Sequence, residues 1–195
     1  MTGVQTCALP ISVGLGLAVV YDTRKNVLNV RRGAFLEVGE LFYRRGFGSD
    51  FDYRAIVVDG RLYRPLGRPN RILAMQVYGT FQRGTVPFYS LALLGGESLL
   101  RGYYLGRYRD KTLLNTQAEV RWLPFGFSRR FGGNIFAGLG TVAPRLAEVQ
   151  ARNMRWVAGG GIQFLLLSSK DVYLRGDLGF TNEGTGLYFS LGQAF

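Results

Sequence analysis

Alternation of apolar and polar residues is the clearest pattern along this chain. Between residues 73 and 82 an extended chain separates two faces. One face carries Leu73, Met75, Val77, Gly79 and Phe81, and the other carries Ala74, Gln76, Tyr78, Thr80 and Gln82. The same split recurs over residues 114–122, 172–180 and 187–195, where the last segment puts Phe195 on the apolar face. This period of two predicts strands with one apolar and one polar face.

Segments of this kind, separated by Gly, Pro, Asn and Asp, predict about nine strands. They cover residues 13–22, 33–44, 51–63, 70–82, 111–123, 133–141, 154–166, 171–181 and 186–195. Some connections are short, such as "SSKD" and "NEGTG", but the one from Gly84 to Asp110 has about 27 residues, which exceeds the usual range for a hairpin. Four strands precede this connection and five follow it.

The composition favours an all-β protein, with 28 glycines, 14% aromatic residues and only 19% charged residues. No stretch approaches the roughly 20 apolar residues of a spanning helix, whereas a spanning strand needs only about 9–11 residues. A soluble sandwich would show Lys and Glu on its outer face, but the polar face here carries Asn, Gln, Tyr, Thr and paired charges. The pattern therefore predicts a transmembrane antiparallel β-barrel with a polar lumen. Because single-chain bacterial barrels have even strand numbers, nine strands predict a C-terminal piece of a longer barrel.

The side chains that usually carry catalysis or hold metals are scarce. The chain has no His and one Cys, and Ser98 in "GESLL" lacks the second Gly of a nucleophile elbow. We therefore predict no enzymatic activity, no cofactor and no metal. The net charge of +11 comes from residues at loop edges, as in "RPLGRPNR" and "FSRRFGG", and forms no stripe, so we predict no nucleic-acid partner.

Residues 1–12, "MTGVQTCALPIS", show no strand alternation and no features of a signal peptide. They resemble a translated sequencing adapter, and the alternative is a native disordered tail. We predict that the barrel domain comprises residues 13–195 and that residues 1–12 are non-native.

Four motifs occur along the chain in this order: "YDTRKN", "LGGESLLRGY", "QAEVRWLPF" and the terminal "LYFSLGQAF". With them the chain resembles the BamA/TamA family of outer-membrane assembly and translocation barrels, the bacterial surface antigens, over nearly all of residues 13–195. The resemblance implies a sixteen-stranded barrel, of which this chain would supply about nine strands at the closing side.

The resemblance also implies that Arg101, Gly102 and Tyr103 form the tip of a long loop folded into the lumen. A guanidinium removed from bulk water needs a carboxylate, and Glu119 and Asp177 are the candidate wall partners. The sequence leaves open which of them Arg101 meets. The Asp that the family often has in the strand "NIFAGLGTV" is replaced here by Gly138.

Gly102 would permit a tight turn at this tip, and Tyr103 would pack its ring while its hydroxyl stays wet. Two plainer interpretations remain open. Arg101 could be a solvated loop charge. Glu119 and Asp177 could form, with Arg121 and Arg175, a ladder of charges that keeps the lumen wet.

A terminal Phe that closes an alternating strand resembles the recognition signal of outer-membrane barrels, and the alternative is that Phe195 is an ordinary terminal aromatic residue. The predicted C-terminal barrel signal comprises Tyr188, Phe189, Leu191 and Phe195.

The resemblance implies location in the bacterial outer membrane and a role in inserting or translocating client proteins. The partners would be outer-membrane lipid, client outer-membrane or secreted proteins, and periplasmic or lipoprotein partners. Two alternatives are a barrel that anchors or exports a fused patatin-like enzyme and a passive channel.

Overall fold

The computed structural model describes residues 10–195 as an all-β fold, built from a nine-stranded antiparallel sheet and a two-stranded ribbon. The strands of the sheet are β1 (Gly14–Asp22), β2 (Gly33–Tyr43), β3 (Tyr53–Leu66), β4 (Arg68–Gly84), β7 (Thr112–Trp122), β8 (Phe131–Ala143), β9 (Arg155–Leu167), β10 (Val172–Thr181) and β11 (Gly184–Leu191). The ribbon pairs β5 (Ala92–Leu94) with β6 (Tyr108–Asp110). Single-turn 3-10 helices lie at Arg45–Phe47, Phe88–Ser90, Leu146–Glu148 and Ala151–Asn153. Among residues 10–195, no helix is long and apolar enough to cross a membrane.

The strands follow one another in chain order across the sheet, and only the ribbon interrupts the order. Four strands precede it and five follow it, which confirms the predicted all-β antiparallel architecture. Within the described residues, β1 and β11 each pair on one side only, so the sheet is open at both edges.

The hairpin of β3 and β4 is longer than the alternation predicts. Pairing continues past the predicted ends to Leu66 and Arg68, and Gly67 turns the chain with a φ of 69°. "RPLGRPNR" is therefore mostly strand. Pro65 removes one ladder N–H, and the register shifts between Pro65 and Leu66.

The two faces of the sheet differ as the alternation predicts. We call the face that bears Gln76 the inner face and the face that bears Val77 the outer face. Gln76 is 4% exposed and Val77 is 59% exposed. Exposed apolar side chains of the outer face include Val38, Met75, Ile135, Leu139, Ile162, Leu178 and Phe189. A continuous apolar surface of this kind suits contact with lipid.

The connection between β4 and β7, residues 85–111, packs against the inner face, and we call it the inner loop. Leu94, Leu100 and Tyr103 of this loop form an apolar cluster with Leu113, Phe136 and Val157 of the sheet. The inner loop therefore covers polar side chains that the sequence pattern alone would leave facing water.

The predicted strand 186–195 ends early, at Leu191. Gly192 follows with a φ of 84°, and its N–H bonds to the carbonyl oxygen of Tyr173 at 2.8 Å. The prediction that Phe195 shares the apolar face of Leu187 is wrong. Phe195 turns to the inner side and packs on Val30, Tyr63 and Ala74. The reason is the left-handed turn at Gly192, which breaks the alternation.

The predicted non-native tract, residues 1–12, lies largely outside the described residues. Of its described part, Ile11 exchanges two hydrogen bonds with Asp50, at 2.7 and 2.9 Å. The hydroxyls of Ser12 and Tyr89 are 2.9 Å apart. The division at residue 13 stays a prediction.

Candidate functional site: an arginine clamped between two strands

The tip of the inner loop is a tight backbone turn at residues 100–103. Leu100 and Gly102 both have positive φ angles, 55° and 130°. A side chain at Gly102 would meet Thr181 Cγ2 at 2.5 Å, so both the conformation and the space require glycine. The turn directs the Arg101 side chain into the sheet.

Arg101 is fully buried and contacts both predicted partners. Its Nη1 donates to Asp177 Oδ2 at 2.7 Å, and its Nη2 donates to Glu119 Oε2 at 2.5 Å. The guanidinium also lies 3.6 Å from the centre of the Phe136 ring. The loop tip is thus held by β7, β8 and β10 together, through charge-assisted hydrogen bonds and a cation–π contact.

Two more arginines share the same carboxylates. Arg121 Nε donates to Glu119 Oε1 at 2.9 Å, and Arg175 Nε lies 3.0 Å from Asp177 Oδ2. All five side chains of this cluster are 0–2% exposed. The interpretation of Arg101 as a solvated charge is therefore wrong, and the charge ladder is buried rather than wet.

Gly138 of β8 is the position at which the resemblance led us to expect an Asp. A Cβ there would lie 3.4 Å from Leu100 Cδ1 and 3.2 Å from Gln117 Cβ. Leu100 of the loop thus packs against the backbone at Gly138, where no side chain is present. The carboxylates come from β7 and β10 instead, on either side of the pair formed by β8 and β9.

The loop tip also contacts the edge strand β11. The Gly102 N–H donates to Tyr188 Oη at 3.2 Å, and Tyr188 Oη donates to the carbonyl oxygen of Tyr103 at 2.7 Å. The approach is close because Gly186 has no side chain: a Cβ there would lie 2.8 Å from Gly102 Cα. Sequence reasoning missed this contact, because it placed Tyr188 in the C-terminal signal only. The alternation places Tyr188 on the polar face, and this was the signal that could have indicated an inward contact.

The hydroxyl of Tyr103 is not wet, contrary to prediction. It donates to Asn182 Oδ1 at 2.6 Å and approaches the carbonyl oxygen of Trp156 at 3.2 Å. The residue is 2% exposed because its ring lies in the cluster of the inner loop.

Glu183, in the turn between β10 and β11, contacts the part of the inner loop that follows its tip. Glu183 Oε2 accepts from Arg107 Nε at 2.9 Å, and its other oxygen contacts the Tyr108 hydroxyl. The Tyr108 hydrogen bond and the Arg107 guanidinium hold the pKa of Glu183 below its usual range. Sequence reasoning gave Glu183 no role.

The four residues of the predicted C-terminal signal separate in space. Phe189 and Leu191 lie on the outer face and are 72% and 65% exposed, whereas Tyr188 faces the loop and Phe195 is buried. Phe195 contacts the same arginine cluster: its carbonyl oxygen accepts from Arg121 Nη2 at 3.1 Å, and its ring centre is 5.1 Å from the Arg121 guanidinium. Its role as a recognition signal stays a prediction.

Comparison with known proteins places the chain in a family. Residues 8–195 match the Omp85 superfamily domain. The fold is similar to that of BamA from Haemophilus ducreyi, crystallised without POTRA domains 1–3. The TM-score is 0.72 at 16% sequence identity. The match covers 91% of this chain and 41% of that BamA chain, and no curated protein sequence matches.

The likeness to BamA, at this identity, concerns the fold. It agrees with an antiparallel sheet that corresponds to part of a barrel and with the apolar outer face. The barrels of this superfamily lie in the bacterial outer membrane and are not enzymes. The chain belongs to the Omp85 superfamily of outer-membrane β-barrels.

Proposed function

We propose that this chain is part of a barrel that inserts or translocates client proteins, and that the inner loop holds strand β11 in place for that work. The observation that carries the proposal is the double attachment of the loop tip. Arg101 fixes it to β7 and β10, and Gly102 and Tyr103 bond to Tyr188 of β11. The loop thereby links the edge strand to the interior of the sheet.

Strand β11 has the features of a strand that can accept another strand. Within the described residues its second side is unpaired, so its N–H and C=O groups can template an added strand. Gly184 and Gly186 lie in it, and glycine weakens a strand interior. A client strand would add along β11 while the loop keeps that edge positioned. Outer-membrane lipid and client proteins are the partners that this function requires, and periplasmic or lipoprotein partners would deliver the clients.

The test is Arg101→Ala in the full-length protein, with the yield of folded client barrels in outer membranes as the measurement. We expect a clear loss of client assembly, because Glu119 and Asp177 lose their shared partner and the loop tip is released. Arg109→Ala is the matched control, since Arg109 lies in the same loop but is exposed and pairs with no carboxylate among residues 10–195.

Arg101→Lys separates function from folding, because it keeps the charge but cannot bridge two carboxylates as a guanidinium does. Partial client assembly with normal barrel folding would support the proposal. Full client assembly by Arg101→Ala, with unchanged protease resistance of the loop, would contradict it. A large steady conductance that is equal in wild type and Arg101→Ala would favour a passive channel.

A further inference from the structure

A cleft of about 910 Å³ lies beside the outer face, far from the Arg101 cluster. Its floor includes Ile56 of β3 and Phe81 of β4, which are directly paired across the two strands. One wall is the segment 144–148 that follows β8. The cleft therefore combines an apolar floor, continuous with the outer face, and a wall formed by a connecting segment.

Cationic side chains dominate the rim of this cleft. Arg54, Arg83, Lys111 and Arg145 line it, with Glu148 as the one carboxylate of the lining. Arg54 and Arg83 are directly opposite each other on β3 and β4, and like charges in that position are unfavourable. A bound anion would relieve this repulsion.

The cations of the rim are weakly paired within the chain. Arg54 has Glu40 at 3.2 Å, but Arg83 has no ion-pair partner in the part of the chain that the structure describes. Arg145 is 83% exposed and lies 3.8 Å from Glu148, a distance at which an exposed pair contributes little. Lys111 Nζ donates to the carbonyl oxygen of Gly84 at 3.0 Å, which holds its charge inside the cleft.

The position of the cleft relative to the membrane follows from the connections. Its end of the sheet carries the connections 44–52, 85–111, 144–154 and 182–183, whereas the opposite end carries 23–32, Gly67, 123–130 and 168–171. The two longest connections, 85–111 and 144–154, both lie at the end with the cleft. Outer-membrane barrels have longer loops outside the cell and short turns on the periplasmic side. The cleft thus lies at the outer rim of the membrane, where apolar wall meets loops and lipid headgroups lie.

We propose that this cleft binds the phosphorylated headgroup of a lipid in the outer leaflet. Guanidinium groups bind phosphate through paired hydrogen bonds, and Arg83 and Arg145 are the two with the least internal pairing. The first part of an acyl chain would lie on Ile56 and Phe81. Basic pockets at the edge of the hydrocarbon region bind lipid headgroups by this combination. The proposal does not depend on client insertion.

The test compares the full-length protein with an Arg83→Gln, Arg145→Gln double variant, in nanodiscs of phosphatidylcholine that contain diphosphorylated lipid A. Retention of lipid A is measured by native mass spectrometry. We expect about tenfold weaker retention by the variant, because two charge-assisted contacts are lost. The matched control is Arg64→Gln, Arg68→Gln, which removes two exposed charges at the opposite end of the same hairpin. It should retain lipid A as the wild type does, and all three should show the same heat-dependent gel mobility of a folded barrel.

Further arms identify the source of the phosphate. Dephosphorylated lipid A should bind about as weakly to the wild type as the phosphorylated form binds to the double variant. Inorganic phosphate at an equal concentration should not displace lipid A. Equal retention by wild type and double variant, equal retention of the dephosphorylated lipid, or displacement by inorganic phosphate would each overturn the proposal.

Discussion

Glu119 and Asp177 each serve two guanidinium groups, and this sharing determines how the loop is held. A buried ion pair recovers its desolvation cost only when the geometry is good and the remaining donors and acceptors are satisfied. Both oxygens of Glu119 are used, one by Arg101 and one by Arg121. Nε of Arg101 and Nη1 of Arg121 have no hydrogen-bond partner among the described residues, so the condition is met for the carboxylate and only in part for the arginines. The sequence predicted an acidic partner for Arg101 but left two candidates, Glu119 and Asp177. Their positions relative to each other depend on the register of the strands from β7 to β10, which the sequence pattern does not give.

We expect Glu119→Gln to destabilise the folded full-length barrel by about 3–5 kcal/mol, because two buried arginines lose their common anion. The measurement is the urea midpoint of unfolding in detergent or lipid. Glu40→Gln is the control, since Glu40 forms a half-exposed pair with Arg54 and should cost about 0–1 kcal/mol. Equal midpoints for the two variants would show that the buried cluster does not stabilise the protein.

At the scale of elements, the inner loop and β11 form one unit. Strand β11 is short, pairs on one side within the described residues, and carries two glycines. Its contact with the loop compensates for these weaknesses, since the Tyr188 hydroxyl bonds to the backbone of both Gly102 and Tyr103. The alternation predicted that Tyr188 faces inward, but the burial of the loop determined what it meets there.

We predict that Tyr188→Phe loosens β11 and leaves the rest of the sheet unchanged. Two hydrogen bonds are lost, each with a net contribution of about 0.5–1.5 kcal/mol, so amide exchange in β11 should accelerate about tenfold or more. Hydrogen exchange with mass spectrometry measures this in the full-length protein. Tyr104→Phe is the control, because Tyr104 lies in the same loop and is 85% exposed. Unchanged exchange in residues 184–191 would show that the hydroxyl does not hold the edge strand.

At the scale of the whole molecule, the two faces of the sheet have different surroundings. The outer face is apolar and exposed, and the inner face is polar and covered by the inner loop. Such a surface is stable only where hydrocarbon replaces water on the outer side. The apolar clusters of the inner face, under the loop and around Phe195, were not visible in the alternation because their members come from distant segments.

Depth probes on neighbouring residues test this division. Nitroxide labels at Val77→Cys and Gln76→Cys, in the full-length protein with any other cysteine replaced by Ser, should respond differently to a lipid-soluble relaxer. We expect strong relaxation at position 77 and weak relaxation at position 76, because successive side chains lie on opposite faces. Ile135→Cys, on the outer face of another strand, should behave like position 77. Equal relaxation at positions 76 and 77 would contradict a membrane-spanning sheet.

The sequence by itself determined the nine strands of the large sheet and their two faces, because alternation with a period of two is a local property that each strand carries. It also predicted that the connection from Gly84 to Asp110 is longer than a hairpin needs. Only the tertiary structure decided that Arg101 contacts both acids, that Tyr188 bonds the loop tip and that Phe195 turns inward. These outcomes depend on strand register, on the close approach permitted at Gly102 and Gly186, and on one turn at Gly192, which bring together residues that lie far apart in the chain.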